Sequence, residues 1–262
     1  MAIVLAYKDA KPPPARIIKK SRRESPFQKS KRIQDEYARA LRGVAKEVGK
    51  IIKGYDPKDQ VGADRLRSAL QAYAELIKPW AANLSSRMIA SVNKQDFTAW
   101  TEHSRNMSLA MRREILSVPV GEAFADLMRQ NVDLITSIPL EAAERVHALV
   151  TENLYKGERA EVISEKILET ENITKGRATT IARTEIARAA STLTQARAIG
   201  VGSTGYIWRT SKDLIVRESH RKMEGRFVKW DTPPTLIDGT TTHAGQIYNC
   251  RCWPEPEIPE MK

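Results

Sequence analysis

The two cysteines of this 262-residue chain, Cys250 and Cys252, stand one residue apart in the stretch GQIYNCRCWPEPE. Two of its four histidines, His220 and His243, precede them closely. Thiolate and imidazole are the donors that tetrahedral zinc takes, and thiols ionise on binding it. His220, His243, Cys250 and Cys252 are therefore the candidate ligands of a zinc site. The Cys-x-Cys spacing is tighter than is usual in structural zinc sites, so packed or hydrogen-bonded core residues are the competing reading. A disulfide between the two is disfavoured in a reducing cytosol.

His220 also lies near two acids, Asp213 and Glu218. A histidine base with a carboxylate on a metal could hydrolyse DNA, so a metal-dependent nuclease is one alternative. These acids form no nuclease pattern, and the chain has no Walker loop, nucleophile elbow or Gly-x-Gly-x-x-Gly loop. We therefore expect no enzyme. His103 and His147 fall within helical patterns and are assigned no role.

The second chemical feature is charge. The net charge is +11, and residues 1–53 hold 15 Lys/Arg against five Asp/Glu. The remaining 209 residues are nearly balanced, with 28 basic and 27 acidic side chains. Residues 1–32 read as an extended basic arm, because Pro12–Pro14 favour polyproline II over helix. Lys19, Lys20, Arg22, Arg23, Lys29, Lys31 and Arg32 are the candidate contacts to double-stranded DNA, which basic segments bind by counterion release. A general DNA-binding protein is a further alternative. No apolar run is long enough for a membrane span and no signal peptide is expected, which points to a cytosolic origin.

The elements that must position these residues are mostly helical. Ile33, Tyr37, Leu41, Val44, Val48 and Ile52 recur at three- and four-residue steps and predict a helix. A second is expected over about 62–92, kinked at Pro79. A third, over 95–117, carries Phe97, Trp100, Met107 and Met111. Others are expected around 121–136, from Pro139 to a stop at Gly157, and over the short stretch ERAEVISEKILET. A long helix follows, with Ala178, Ala182, Ile186, Ala189, Leu193 and Ala196 along a small-residue face, ending at Gly200 and Gly202. On it, Glu185 and Arg188 are expected to pair at the surface. Then TGYIWRTS and RFVKWD read as strands, and IYNCRCW as a final strand or turn before a Pro/Glu tail. The expected fold is mainly α, a multi-helix body with a small α+β cap near the C-terminus. Its parts are the arm 1–32, an N-terminal helical region 33–124, a region 125–254 comprising helices 125–202 and the cap 203–254, and a tail 255–262.

Read in order, the segments ATTIARTEIARAAS, GYIWRTSKDLIVRESHRKMEGR and YNCRC resemble the signature series of Mu F-like minor head proteins, the phage head morphogenesis family. The residues carrying the resemblance are Arg183, Thr184, Glu185, Tyr206, Trp208, Asp213, Arg217, His220, Gly225, Asn249, Cys250, Arg251 and Cys252. Members often place a histidine directly before the last Cys motif, whereas His243 lies seven residues before Cys250. The resemblance implies a minor virion protein inside the capsid near the portal vertex, made in the host cytoplasm. It would act in head assembly and in DNA packaging or delivery. The implied partners are the portal protein and the scaffold or major capsid protein.

Overall fold

The computed structural model describes residues 30–55, 60–156 and 160–258. The fold is mainly α with a small three-stranded antiparallel sheet near the C-terminus. Helix α1 (Lys31–Lys53) begins where Ser30 Oγ accepts from Ile33 N at 3.4 Å. This cap satisfies a backbone donor that the first turn leaves open. The helix thus includes Lys31 and Arg32, the last two residues of the arm expected from sequence. Lys19, Lys20, Arg22, Arg23 and Lys29 lie outside the described residues. The apolar stripe from Ile33 to Ile52 is buried as its spacing requires.

The region expected as one kinked helix is two: α2 (Gln60–Leu76) and α3 (Lys78–His103). Pro79 sits in the first turn of α3, where its missing N–H leaves no hydrogen bond unmade. The next expected helix is also divided. Trp100 ends up on α3, fully buried beside Met111 and Ile115, while a short 3₁₀ turn, Ser104–Asn106, and extended Met107 precede α4 (Leu109–Ser117). Ser108 caps α4, its Oγ accepting from Met111 N at 3.2 Å.

In contrast, Pro139 does not start a helix. It lies inside the continuous α5 (Gly121–Lys156). Just before it, the hydroxyls of Thr136 and Ser137 donate to carbonyls of the preceding turn. Such side-chain bonds offer the backbone local alternatives where a proline interrupts the ladder. The two segments expected on either side of residue 172 likewise form one helix, α6 (Ala160–Gly200).

Helix α6 is the axis of the body. It packs against α1, α3 and α5, and α2 packs on α5. Leu41, Ile89, Ile135, Ile186 and Leu193 are fully buried where these helices meet. A second cluster, with Val48, Leu70, Val146 and Ile167, fills the far end. Each such side chain contributes roughly 1.5–3 kcal/mol through burial.

Two buried polar groups pin the helices to α6. Glu185 is 1% exposed, not at the surface. It accepts from Asn131 Nδ2 at 3.3 Å and pairs with Arg188 at 3.2 Å, and Asn131 in turn accepts from the Tyr37 hydroxyl at 2.9 Å. α1, α5 and α6 are thereby tied by one polar relay, and burial pushes the Glu185 carboxyl above the usual carboxylate range. The second group joins α3 to α6. Asp96 takes a hydrogen bond from Thr194 Oγ1 at 2.5 Å and an ion pair from Arg197, whose other nitrogen donates to Asn93 at 2.7 Å.

After α6 the chain turns at Gly202, in the left-handed region at φ +78°, and enters the cap. The strands are β1 (Gly205–Thr210), β2 (Phe227–Lys229) and β3 (Cys252–Glu257), in the order β2-β1-β3. The Pro/Glu segment expected as a tail thus supplies most of a strand. Trp208 N donates to Arg226 O, and Trp208 O accepts from Gly225 N, so its backbone groups face the β2 side. Opposite Trp208 and Tyr206 on β3 stand Pro254 and Pro256. They therefore occupy the non-hydrogen-bonded pairs of an edge strand, where a missing N–H costs nothing.

Candidate functional site in the C-terminal cap

The cap is built around β1. Its residues alternate, and Tyr206 and Trp208 are fully buried against α6 and the loops. Tyr206 stacks at 4.5 Å on Trp230. The Tyr206 hydroxyl accepts from Ala244 N at 3.1 Å and meets His243 Nδ1 at 3.2 Å. Burial keeps His243 below the usual histidine range, offset in part by its hydrogen bond to the Trp230 backbone. Both sides of this ring are thus engaged in holding the 230–244 loop.

The connection from β1 to β2 folds back on itself. Glu224 accepts from the backbone N and the hydroxyl of Thr210, at 2.6 and 2.8 Å. Gly225, at φ +79°, then leads into the β2 side of the hairpin. Between these points lies a one-turn helix, α7 (Glu218–Arg221), which carries His220. The ring of His220 meets Trp208 edge to face at 5.5 Å.

A second loop brings the cysteines to the same place. Asn249 adopts φ +52°, a conformation asparagine tolerates. Its N–H donates to Thr184 Oγ1 at 3.0 Å, and its side-chain oxygen accepts from Arg183 at 3.3 Å. Just upstream, Ser191 Oγ donates to Ala244 O at 2.7 Å. Gly245, at φ +86°, lies so close to α6 that a Cβ there would stand 3.2 Å from Ser191 Cβ. A loop backbone thus approaches α6 closely at Ala187 and Ser191, off the small-residue face expected from sequence. Ala178, Ala182, Ile186, Ala189 and Leu193 face the helical core, and Ala196 is only half-buried.

The two loops are locked to each other at the surface. The Asp213 carboxylate accepts from Arg251 Nε at 2.7 Å, from Ser211 at 2.9 Å and from Ile215 N at 3.0 Å. Against the desolvation that would raise it, these contacts hold its pKa below the usual range. Arg217 donates to Tyr248 O at 3.1 Å and lies over the Tyr248 ring at 4.7 Å.

Beneath these clamps, His220 Nδ1 lies 3.4 Å from Cys252 Sγ and 3.5 Å from Cys250 Sγ. The three donors lie within 4.8 Å of one another, all in buried residues, and no disulfide joins the cysteines. The hydrogen bond to Cys252, and next that to His220, hold the Cys250 thiol well below the usual thiol range despite burial. The cluster could hold a metal ion. Of the four ligands expected from sequence, His243 is outside it, because its nitrogens serve Tyr206 and Trp230. Asp213 and Glu218 are outside it too: Asp213 serves Arg251, and Glu218 pairs with Lys222 at 3.1 Å.

Sequence reading missed the partners that make this site: Ser191, Ala244 and Gly245 at the α6 contact, and Glu224 at the hairpin. Only Gly245 left a signal, a glycine within a polar loop. The others are ordinary residue types whose roles depend on what folds beside them.

The motif residues thus do one structural job. Arg183, Thr184, Asn249, Asp213, Arg251, Arg217 and Gly225 hold two loops so that His220, Cys250 and Cys252 converge. Residues 144–254 match the family described as Phage Mu protein F like protein. A Haemophilus influenzae protein described as uncharacterized is 27% identical over 195 residues, covering 73% of this chain. The chain spans 43% of that relative's length. No solved structure matches. Through residues 144–254, which take in the end of α5, all of α6 and the cap, this chain resembles the Phage Mu protein F-like proteins.

Proposed function

We propose that the chain is a minor head protein of a tailed phage that lies inside the capsid near the portal vertex and acts in head assembly and DNA packaging or delivery. The observation that carries this reading is the Mu F-like match over residues 144–254. The helical body would dock on the portal protein, with scaffold or major capsid protein as further neighbours. No described helix is long and apolar enough to cross a membrane, which suits a partner made of protein. Crosslinking in assembled heads is expected to join this chain to the portal protein. Links confined to the tail or the outer capsid surface would overturn the placement.

The basic N-terminal segment would contact packaged DNA. Its excess of ten positive charges within residues 1–53 supports this, since each phosphate contact releases counterions. Deleting residues 1–29 leaves the Ser30 cap of α1 intact. The truncated protein is expected to bind DNA more weakly, with a flatter dependence of affinity on salt. An unchanged salt slope would remove DNA contact from the proposal.

A further inference from the structure

We propose that His220 Nδ1, Cys250 Sγ and Cys252 Sγ are the protein ligands of one zinc ion that staples the α7 connection to the start of β3. This does not depend on the head-assembly reading. The argument is first geometric. Zinc bonds of about 2.0–2.1 Å to nitrogen and 2.3 Å to sulfur, at tetrahedral angles, place such donors roughly 3.6 Å apart. The observed separations from His220 Nδ1, 3.4 and 3.5 Å, are edges of that size.

The donor set then selects the metal. Two thiolates and an imidazole suit zinc, while magnesium and calcium require oxygen ligands that this cluster lacks. The Cys-x-Cys spacing is no obstacle here. Cys252 opens β3 and Cys250 is the last residue before it but one, following the left-handed Asn249. Residues two apart on extended chain point to the same side, so both thiols face α7. Trp208, edge-on to His220, closes one flank with apolar surface. Among the described residues, no fourth His, Cys, Asp or Glu joins this group.

Such an ion would join segments 30 residues apart in a cap with only three short strands. A sheet of that size buries little apolar area, and a metal's binding energy then becomes folding energy.

The test uses the full chain. Wild-type protein purified from zinc-supplemented cells is expected to carry about one zinc per chain by elemental analysis. His220→Ala and the double variant C250S/C252S are expected to lose it, and His243→Gln to keep it. Because the first two variants could fail to fold, Co²⁺ is also titrated into metal-stripped wild-type protein. Thiolate-to-cobalt charge-transfer absorption with intense tetrahedral visible bands is expected. Wild-type protein without metal and without those bands would overturn the site. Metal lost in His243→Gln but kept in His220→Ala would overturn the ligand set, and another metal in zinc's place would overturn its identity.

Discussion

Replacing Asp96 by alanine is expected to destabilise the folded chain by about 3–5 kcal/mol, the range for stranding a buried charge. Asp96 and Arg197 are 5% and 3% exposed, on α3 and α6. Without the carboxylate, the guanidinium would keep only Asn93 as a side-chain partner in this group, and Thr194 would lose its acceptor. Removing both charges as D96A/R197M is expected to cost less than the single change, because an apolar pair needs no compensation. Urea unfolding of the three variants measures this, and a single-variant loss under about 1 kcal/mol would contradict it. The pair also has a pH signature. Burial raises the Asp96 carboxyl to about 6, although Arg197 and Thr194 pull it back. The folded state therefore holds this proton more tightly than the unfolded chain does. This group's contribution to stability falls as pH rises from about 4 through 6. Asp96→Asn should flatten that part of the stability profile and leave its alkaline side unchanged.

Trp208→Ala is expected to cost about 3–5 kcal/mol as well, through the cavity left by a fully buried indole. The consequence should be local in the first instance. Trp208 packs in the cluster that contains Tyr206, Trp230, Leu236, Cys250 and Cys252, together with Trp100 of α3, Ile115 of α4 and Ala198 of α6, whereas the main core of α1, α3, α5 and α6 is separate. Limited proteolysis should cut first between residues 203 and 258, while far-ultraviolet circular dichroism retains most of its helical signal. Simultaneous loss of helix and cap would show that α6 depends on the cap for its own stability. Trp208→Phe keeps the edge-to-face contact with His220 within reach and should recover part of the loss.

The sequence by itself determined what depends on local spacing. The stripe from Ile33 to Ile52 could form only an amphipathic helix with one buried face. The alternation in GYIWRT could form only a half-buried strand, and the excess of basic residues near the N-terminus is a matter of counting. The ordered motif was also legible, because it lies in residue types and intervals. Helix boundaries were not. Pro79 and Pro139 are the same residue type, yet one opens α3 and the other lies inside α5. That difference depends on neighbouring hydroxyls and on packing that holds the chain helical past a missing donor.

Tertiary structure alone decided which polar residues would be buried. Glu185 looks like a surface partner of Arg188 until α1 and α5 cover it with Tyr37 and Asn131. Asp96 and Arg197, 101 residues apart, carry no local sign of their pairing. The same holds within the site. His220 and His243 are equivalent as candidate ligands in sequence, but the path of their loops delivers one to the cysteines and the other to Tyr206. Pro254 and Pro256 read as a tail because proline opposes a ladder, and they pair because their strand is an edge whose N–H positions face away. Spacing in a chain limits which face a residue can take; the surfaces that later meet that face determine whether it becomes core, clamp or ligand.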